Sequence, residues 1–324
     1  MISAKKSHQK RIWIIIITTV LLFCIVSLAV TKVVYDAVFD RYDQPADIPK
    51  ALDAMVAQRS VCRFSSGENQ LTGYYYGTDG PANGLIVLVP GFHAGGDDYL
   101  WQISELGQYG WAVFTFDATG TLQSQGKTQV GFSQLVLDLE AALEHIENNR
   151  HFGYNEVVLV GHSRGAYAAC CALRDRQDVA AVVAISGVNS AMEAVMQSSV
   201  EKAGPISYGN YGFLWLYQAM LFGQDLLGRN AAEEISESYI PVLVIHGTQD
   251  EMIPADTSAI IAHREKIHSP EVEYLLCPAG HTDLLYDEDG TANDALIKSI
   301  HEFLIRSLKE ERENKNGCSI DTGI

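Results

Sequence analysis

Residues 156–173 constrain the fold more than any other part of the chain. The aliphatic run Val157-Val158-Leu159-Val160 leads into Gly161-His162-Ser163-Arg164-Gly165, and an alanine-rich stretch over 166–173 follows at once. A short run that is apolar at every position suits a strand buried on both faces, and the alanine-rich stretch reads as a helix. A strand that turns straight into a helix belongs to a crossover connection, and crossovers build mainly parallel sheets covered by helices on both faces. The turn between them is tight. Glycine at 161 and 165 avoids steric collision there, and the serine is forced into strained backbone angles. Its hydroxyl then stands above the carboxyl end of the sheet, at a helix N-terminus whose dipole favours negative charge.

The same alternation continues in both directions. An antiparallel pair is expected over 61–64 and 70–76, separated by Ser65-Ser66-Gly67. Further strands are expected over 85–89, 111–116, 179–185, 241–245 and 272–276. Helices are expected over 98–109, 132–149, 255–267 and 292–308. About fifty residues between Gly187 and Tyr239 break the rhythm. They carry Tyr208, Tyr211, Phe213, Leu214, Trp215, Tyr217, Met220 and Phe222, and read as a helical insertion, 189–238, over one edge of the sheet.

Residues 12–30 form an uncharged run of Ile, Val and Leu, preceded by Lys5, Lys6, Lys10 and Arg11. At about 1.5 Å per residue this nearly spans a hydrocarbon core of about 30 Å, and residues up to 34 extend it, with Lys32 reaching to the interface. The expectation is a transmembrane anchor over 12–34, with residues 1–11 cytoplasmic and the remainder outside. The competing reading is a signal peptide cleaved after Ser27-Leu28-Ala29, which would leave a secreted protein. Residues 35–60 read as a polar linker ending in a short helix from about Pro49. The body of the protein is then 61–312, with a polar tail over 313–324 that has little reason to order.

The net charge is -17, and about -22 without the five basic residues of the first 34. Such a body repels phosphate backbones, so nucleic acid is excluded as a partner. The six cysteines show no ligand spacing, so no zinc site is expected. A single Cys62–Cys277 bridge stays open for a domain outside the cell.

With these motifs in place, residues 61–308 resemble the α/β-hydrolase family. Four motifs carry the likeness: Val89-Pro90-Gly91-Phe92-His93, the Gly161–Gly165 turn, His246-Gly247-Thr248-Gln249-Asp250 and Ala279-Gly280-His281-Thr282-Asp283. The resemblance implies a serine hydrolase acting on a carboxylic ester, amide or thioester. Ser163 is the expected nucleophile, His281 the general base and Asp250 its orienting carboxylate, in the family's chain order. Glu251, Asp256 and Asp283 are the alternative acids. The backbone amides of Phe92 and Arg164 are the expected oxyanion donors.

Two departures stand out. Pro90-Gly91 replaces the family's usual His-Gly, and Thr119 stands where many relatives carry arginine in Asp-x-Arg-Gly. The Arg164 side chain either meets an anionic substrate group or packs and pairs at the surface. His162 is expected to point away from the serine, and His246 to brace a loop. The aromatic residues over 208–222 either cover Ser163 and select an apolar acyl or aromatic group, or form only the insertion's own core. No metal or organic cofactor is expected. A peptidase or acyltransferase on the same residues, or an inactive binding module, remain the rival functions.

Overall fold

The computed structural model of the chain describes residues 2–80, 83–149, 154 and 156–318. The strands are β1 (Ser60–Ser66), β2 (Asn69–Tyr76), β3 (Gly84–Val89), β4 (Trp111–Asp117), β5 (Val157–His162), β6 (Ala181–Ile185), β7 (Val242–Gly247) and β8 (Val272–Cys277). Among the described residues they form one sheet in the order β1-β2-β4-β3-β5-β6-β7-β8. β1, β2 and β4 pair antiparallel; every other pairing is parallel. The α/β class and mainly parallel sheet expected from the alternation are what the chain forms.

The central strands are apolar at every position because both faces are covered. Leu85, Val87 and Leu159 enter one apolar layer, with α4 (Phe132–Asn148), α5 (Arg164–Cys171) and α8 (Ala231–Glu237). The intervening Ile86, Leu88, Val158 and Val160 enter the other, with α3 (Leu100–Gln108) and α9 (Asp294–Cys318). This is the two-residue period of a strand divided between two helical layers.

Several segments differ from expectation. Helix α1 (Ile2–Val38) does not stop at 34, and Tyr35 and Phe39 are buried. Over His8–Val38 it is long and apolar enough to cross a membrane. The segment after it is tied to the body. Asp40 bridges Thr128, Tyr42 bridges Thr121, and Arg41 donates to the carbonyls of Leu122, Ser124 and Gly126. The short helix near Pro49 is present as a 3-10 turn, Lys50–Leu52, and α2 (Asp53–Gln58).

Over 255–267 only a 3-10 segment forms, Ile260–Lys266. There the Ser258 carbonyl accepts the Asn189 amide at 2.7 Å and Ala259 bridges Val188, which holds this backbone extended. Helix α9 continues past 308 into the expected tail, to Cys318; residues 319–324 lie outside the described residues.

The insertion divides in two. α6 (Ala191–Ala203), a 3-10 turn over Pro205–Asn210 and α7 (Tyr211–Gly228) gather near α1, whereas α8 buries Ala231, Ala232 and Ile235 in the main core. Cys62 and Cys277 are free thiols on β1 and β8, the opposite edges of the sheet, so they form no bridge.

Candidate active site

Ser163 sits between β5 and α5 with φ 56° and ψ -118°, the left-handed strain that the turn imposes on a non-glycine residue. The flanking glycines have a steric cause. A Cβ at 161 would strike the Gly165 carbonyl, and one at 165 the Val89 carbonyl. The Ser163 amide donates to the Ile185 carbonyl at 2.8 Å, which ties the turn to the end of β6.

Asp250 and His281 meet because β7 and β8 are neighbours in register, with Gly247 opposite Cys277. The ladder continues beyond the strands: the Thr248 amide donates to the Cys277 carbonyl and the Gln249 amide to that of Ala279. The two following loops therefore run side by side. His281 Nδ1 donates to Asp250 Oδ2 at 2.7 Å. The other carboxylate oxygen, Oδ1, accepts the amides of Met252 and Ile253. Burial by itself raises the Asp250 pKa, but the bonds from His281 and the Ile253 amide outweigh it and hold the carboxyl below its ordinary value. Glu251, Asp256 and Asp283 make no such contact with the imidazole among the described residues.

His246 braces the loop, as expected. Its Nε2 donates to the Ile253 carbonyl at 2.8 Å and lies 3.4 Å from Asp250. Burial lowers its pKa against the opposing pull of the Ile253 carbonyl and Asp250.

The side chain of His162 joins three motifs. Its Nε2 donates to the His281 carbonyl at 3.2 Å, so Nδ1 accepts from the Tyr99 hydroxyl at 3.0 Å. That hydroxyl oxygen accepts the Gly91 amide, also at 3.0 Å. One chain of hydrogen bonds thus runs from the loop after β3, through α3's N-cap, to the loop after β8. Burial, reinforced by nearby His281, pushes the His162 pKa down to about 3. The ring centroids of His162 and His281 are 5.0 Å apart, which puts the 281 imidazole at the same end of the sheet as Ser163. Among the described residues no hydrogen bond joins the Ser163 hydroxyl to His281.

The Gly91 amide is occupied by Tyr99, whereas no hydrogen bond among the described residues engages the Phe92 amide. The Arg164 amide opens α5, in the first turn where helical amides have no intrahelical acceptor. The Arg164 side chain is not at the surface, and among the described residues it has no ion-pair partner. It is buried beneath the Phe92 ring, 5.6 Å from the centroid, with Nε and Nη2 unpartnered among the described residues. Burial lowers its pKa to about 10. At the Asp-x-Arg-Gly position, Thr119 bonds Asp138 through both its amide and hydroxyl, so this loop is braced without an arginine.

A cavity of about 150 Å³ opens on Ser163. Its walls include Val38 and Phe39 at the end of α1, Phe92, Phe132, and Ala194 and Val195 of α6. None of residues 208–222 lines it; Leu214 and Tyr217 pack behind that wall. The wall from α1 was missed in the sequence. Its only signal was the i, i+3, i+4 spacing of Tyr35, Val38 and Phe39, which prolongs the helix by one turn. A larger groove of about 620 Å³, beside α8, contains none of these site residues.

The sequence profile of the family described as "Serine aminopeptidase, S33" matches residues 80–207. The uncharacterized protein YfhR of Escherichia coli, in strains O157:H7 and K12, is 26% identical over 242 residues, 72% of this chain and 75% of that protein. Among solved structures, Pyrococcus furiosus esterase Pf2001 superposes with a TM-score of 0.61 at 17% identity, covering 83% of this chain and 98% of that one. Est1E from Butyrivibrio proteoclasticus, with ferulic acid bound, gives 0.54 at 15% identity, over 77% and 98% of the two chains.

Proposed function

We propose that this chain, which has the α/β-hydrolase fold, is a serine hydrolase that cleaves a carboxylic ester, amide or thioester. The Asp250–His281 hydrogen bond, at the end of the sheet that carries Ser163, supports the reading more than any other observation. The Ser163 hydroxyl attacks the acyl carbon while His281 Nε2 takes its proton. Asp250 holds Nδ1–H and stabilises the imidazolium that forms. The amides of Phe92 and Arg164 receive the negative oxygen of the tetrahedral intermediate. His281 then protonates the leaving group, leaving an acyl-enzyme on Ser163. Water repeats the sequence and releases the acid. The proteins named as esterases that share the fold agree with this reading, and the chain's own residues supply its chemistry.

Ser163→Ala tests it. Hydrolysis of p-nitrophenyl acetate falls by on the order of 10⁴-fold or more with the circular dichroism spectrum unchanged. Labelling by a fluorophosphonate probe disappears as well. A variant as active as the parent removes Ser163 from the reaction, and a parent that never labels makes the domain an inactive binding module.

Glu201 at the cavity wall favours one second reading, in which an α-ammonium group is held beside an aminoacyl amide. Aminoacyl p-nitroanilides in the same assay separate the two. Helix α1 serves in either case as a single-pass anchor, with the basic residues of its first turns, Lys5 to Arg11, cytoplasmic and the sheet outside. Mass measurement of the mature N-terminus distinguishes this from cleavage after Ala29.

A further inference from the structure

The charge pattern of α1 marks where a bilayer would end. From Ile12 to Val30 its side chains are uncharged and mostly exposed; the next charge after Arg11 is Lys32, paired with Asp36. Helix α7 crosses α1 at this boundary. Asn210 bonds the Thr31 hydroxyl, the Tyr217 hydroxyl donates to Asp36 at 3.2 Å, and the Tyr35 and Tyr217 rings lie 5.3 Å apart. Phe213 reaches further along α1, to Phe23, at 5.9 Å between centroids. Phe23 is nine residues before Lys32, about 13 Å along the helix toward the apolar side. The turn before α7 and the helix itself are therefore held at the level of the outer headgroups.

Their composition fits that position. From Pro205 to Gln224 there is no Asp, Glu, Lys or Arg, in a chain of net charge -17. The outward side chains are Ile206 (82% exposed), Tyr208, Tyr211, Trp215, Leu216 and Met220 (71%). A contiguous apolar patch with tyrosine and tryptophan is the pattern of a membrane–water interface. The inner side of α7 continues the same apolar surface. Leu214 and Leu227 pack with Tyr35, Phe39, Met192 and Val195, and this cluster reaches Phe92 and Phe132, which line the cavity on Ser163.

We propose that α7 lies in the outer face of the bilayer and that the substrate is a membrane-dissolved amphiphile with one flexible apolar acyl chain. The chain leaves the lipid and follows the apolar cluster between the end of α1 and α6 to Ser163. The reaction is hydrolytic: water adds across the acyl C–O bond, a carboxylic acid and an alcohol leave, and nothing is oxidised or reduced. The proposal rests on the hydrolase reading above and on α1 as an anchor.

The test uses the full chain in phosphatidylcholine vesicles, with monooleoylglycerol dissolved in the bilayer and p-nitrophenyl acetate in the water. The double variant Ile206→Asp, Met220→Asp changes two outward side chains that do not line the cavity. Its rate on the vesicle ester falls about ten-fold or more, because two apolar groups are withdrawn from lipid. Its rate on the acetate ester and its fluorophosphonate labelling stay within about two-fold of the parent. The pair Ile206→Leu, Met220→Leu keeps both rates. Equal rates for parent and aspartate variant on the vesicle ester, or parallel loss on both substrates while labelling persists, overturn the proposal. A parent that labels and cleaves the acetate but ignores the vesicle ester overturns it while leaving the hydrolase reading intact. A parent that neither labels nor cleaves either ester removes the hydrolase reading itself.

Discussion

The floor and the roof of the cavity on Ser163 are built by different means. At the floor, Ser163, Asp250 and His281 stand on the ends of β5, β7 and β8, whose backbone ladders fix their spacing. The contacts there are short, polar and directional: Asp250 accepts from His281, Met252 and Ile253. At the roof, Val38, Phe39, Ala194 and Val195 come from helices more than 150 residues apart in the chain. What joins them is apolar packing with few hydrogen bonds, such as the one from the Tyr35 hydroxyl to Gln218. On the proposed hydrolase reading, the floor sets which bond is attacked and the roof which acyl group fits above it. Changes at the floor should act on turnover with little effect on folding, and changes at the roof should do the reverse.

Asp250→Asn should give the largest effect and the sharpest form of that contrast. The amide cannot stabilise the imidazolium at 281, and kcat on p-nitrophenyl acetate is expected to fall by on the order of 10⁴-fold with the urea midpoint little changed. A fall of less than ten-fold would pass the orienting role to Glu251, Asp256 or Asp283. Phe39→Ala probes the roof. Phe39 is 2% exposed and packs against Tyr35, Phe92 and Phe132, so the loss is expected to be about 3–5 kcal/mol in urea unfolding. KM should rise for a long-chain ester more than for the acetate. If acetate turnover falls as far as it does in Asp250→Asn, the division between floor and roof is wrong.

The smallest effect expected is at His162, which joins the loops of the floor. Its folded pKa of about 3 lies below the ordinary 6.5, so between these values the unfolded chain binds a proton that the native protein excludes. Stability therefore falls as the pH drops below about 6.5, by up to roughly 1.4 kcal/mol per pH unit from this site. His162→Gln should be less stable at pH 7 but show a flatter decline between pH 7 and pH 5 in urea titrations. An unchanged slope would mean that the native imidazole is already protonated or exposed.

The floor was largely legible in the sequence because local rules write it. The aliphatic run before Gly161 and the glycines at 161 and 165 follow from short-range geometry, whereas Asp250 and His281 were picked out by the resemblance, which sets an acid and a base after successive late strands. Tyr99 was not legible: its partners, Gly91 and His162, lie 8 and 63 positions away, and nothing in a helix-capping tyrosine announces them. Nor was the burial of Arg164, since its charge suggested the surface. In 255–267 the helical pattern lost to pairing of 258–259 with 188–189, a tertiary contact with no local signature.

What the sequence determined by itself was the alternation of strand and helix, and with it a parallel sheet whose carboxyl end carries a strained serine. Hydrophobic periodicity and turn sterics act within a few residues, so they can be read along the chain. Only the tertiary structure decided that the N-terminal helix runs on past Tyr35 to Val38 and delivers Phe39 to the cavity wall, and that the insertion gives one helix to the core and two to that helix. Apolar burial is non-directional: which of several greasy faces meet depends on the folded surface they share, and no local pattern specifies it.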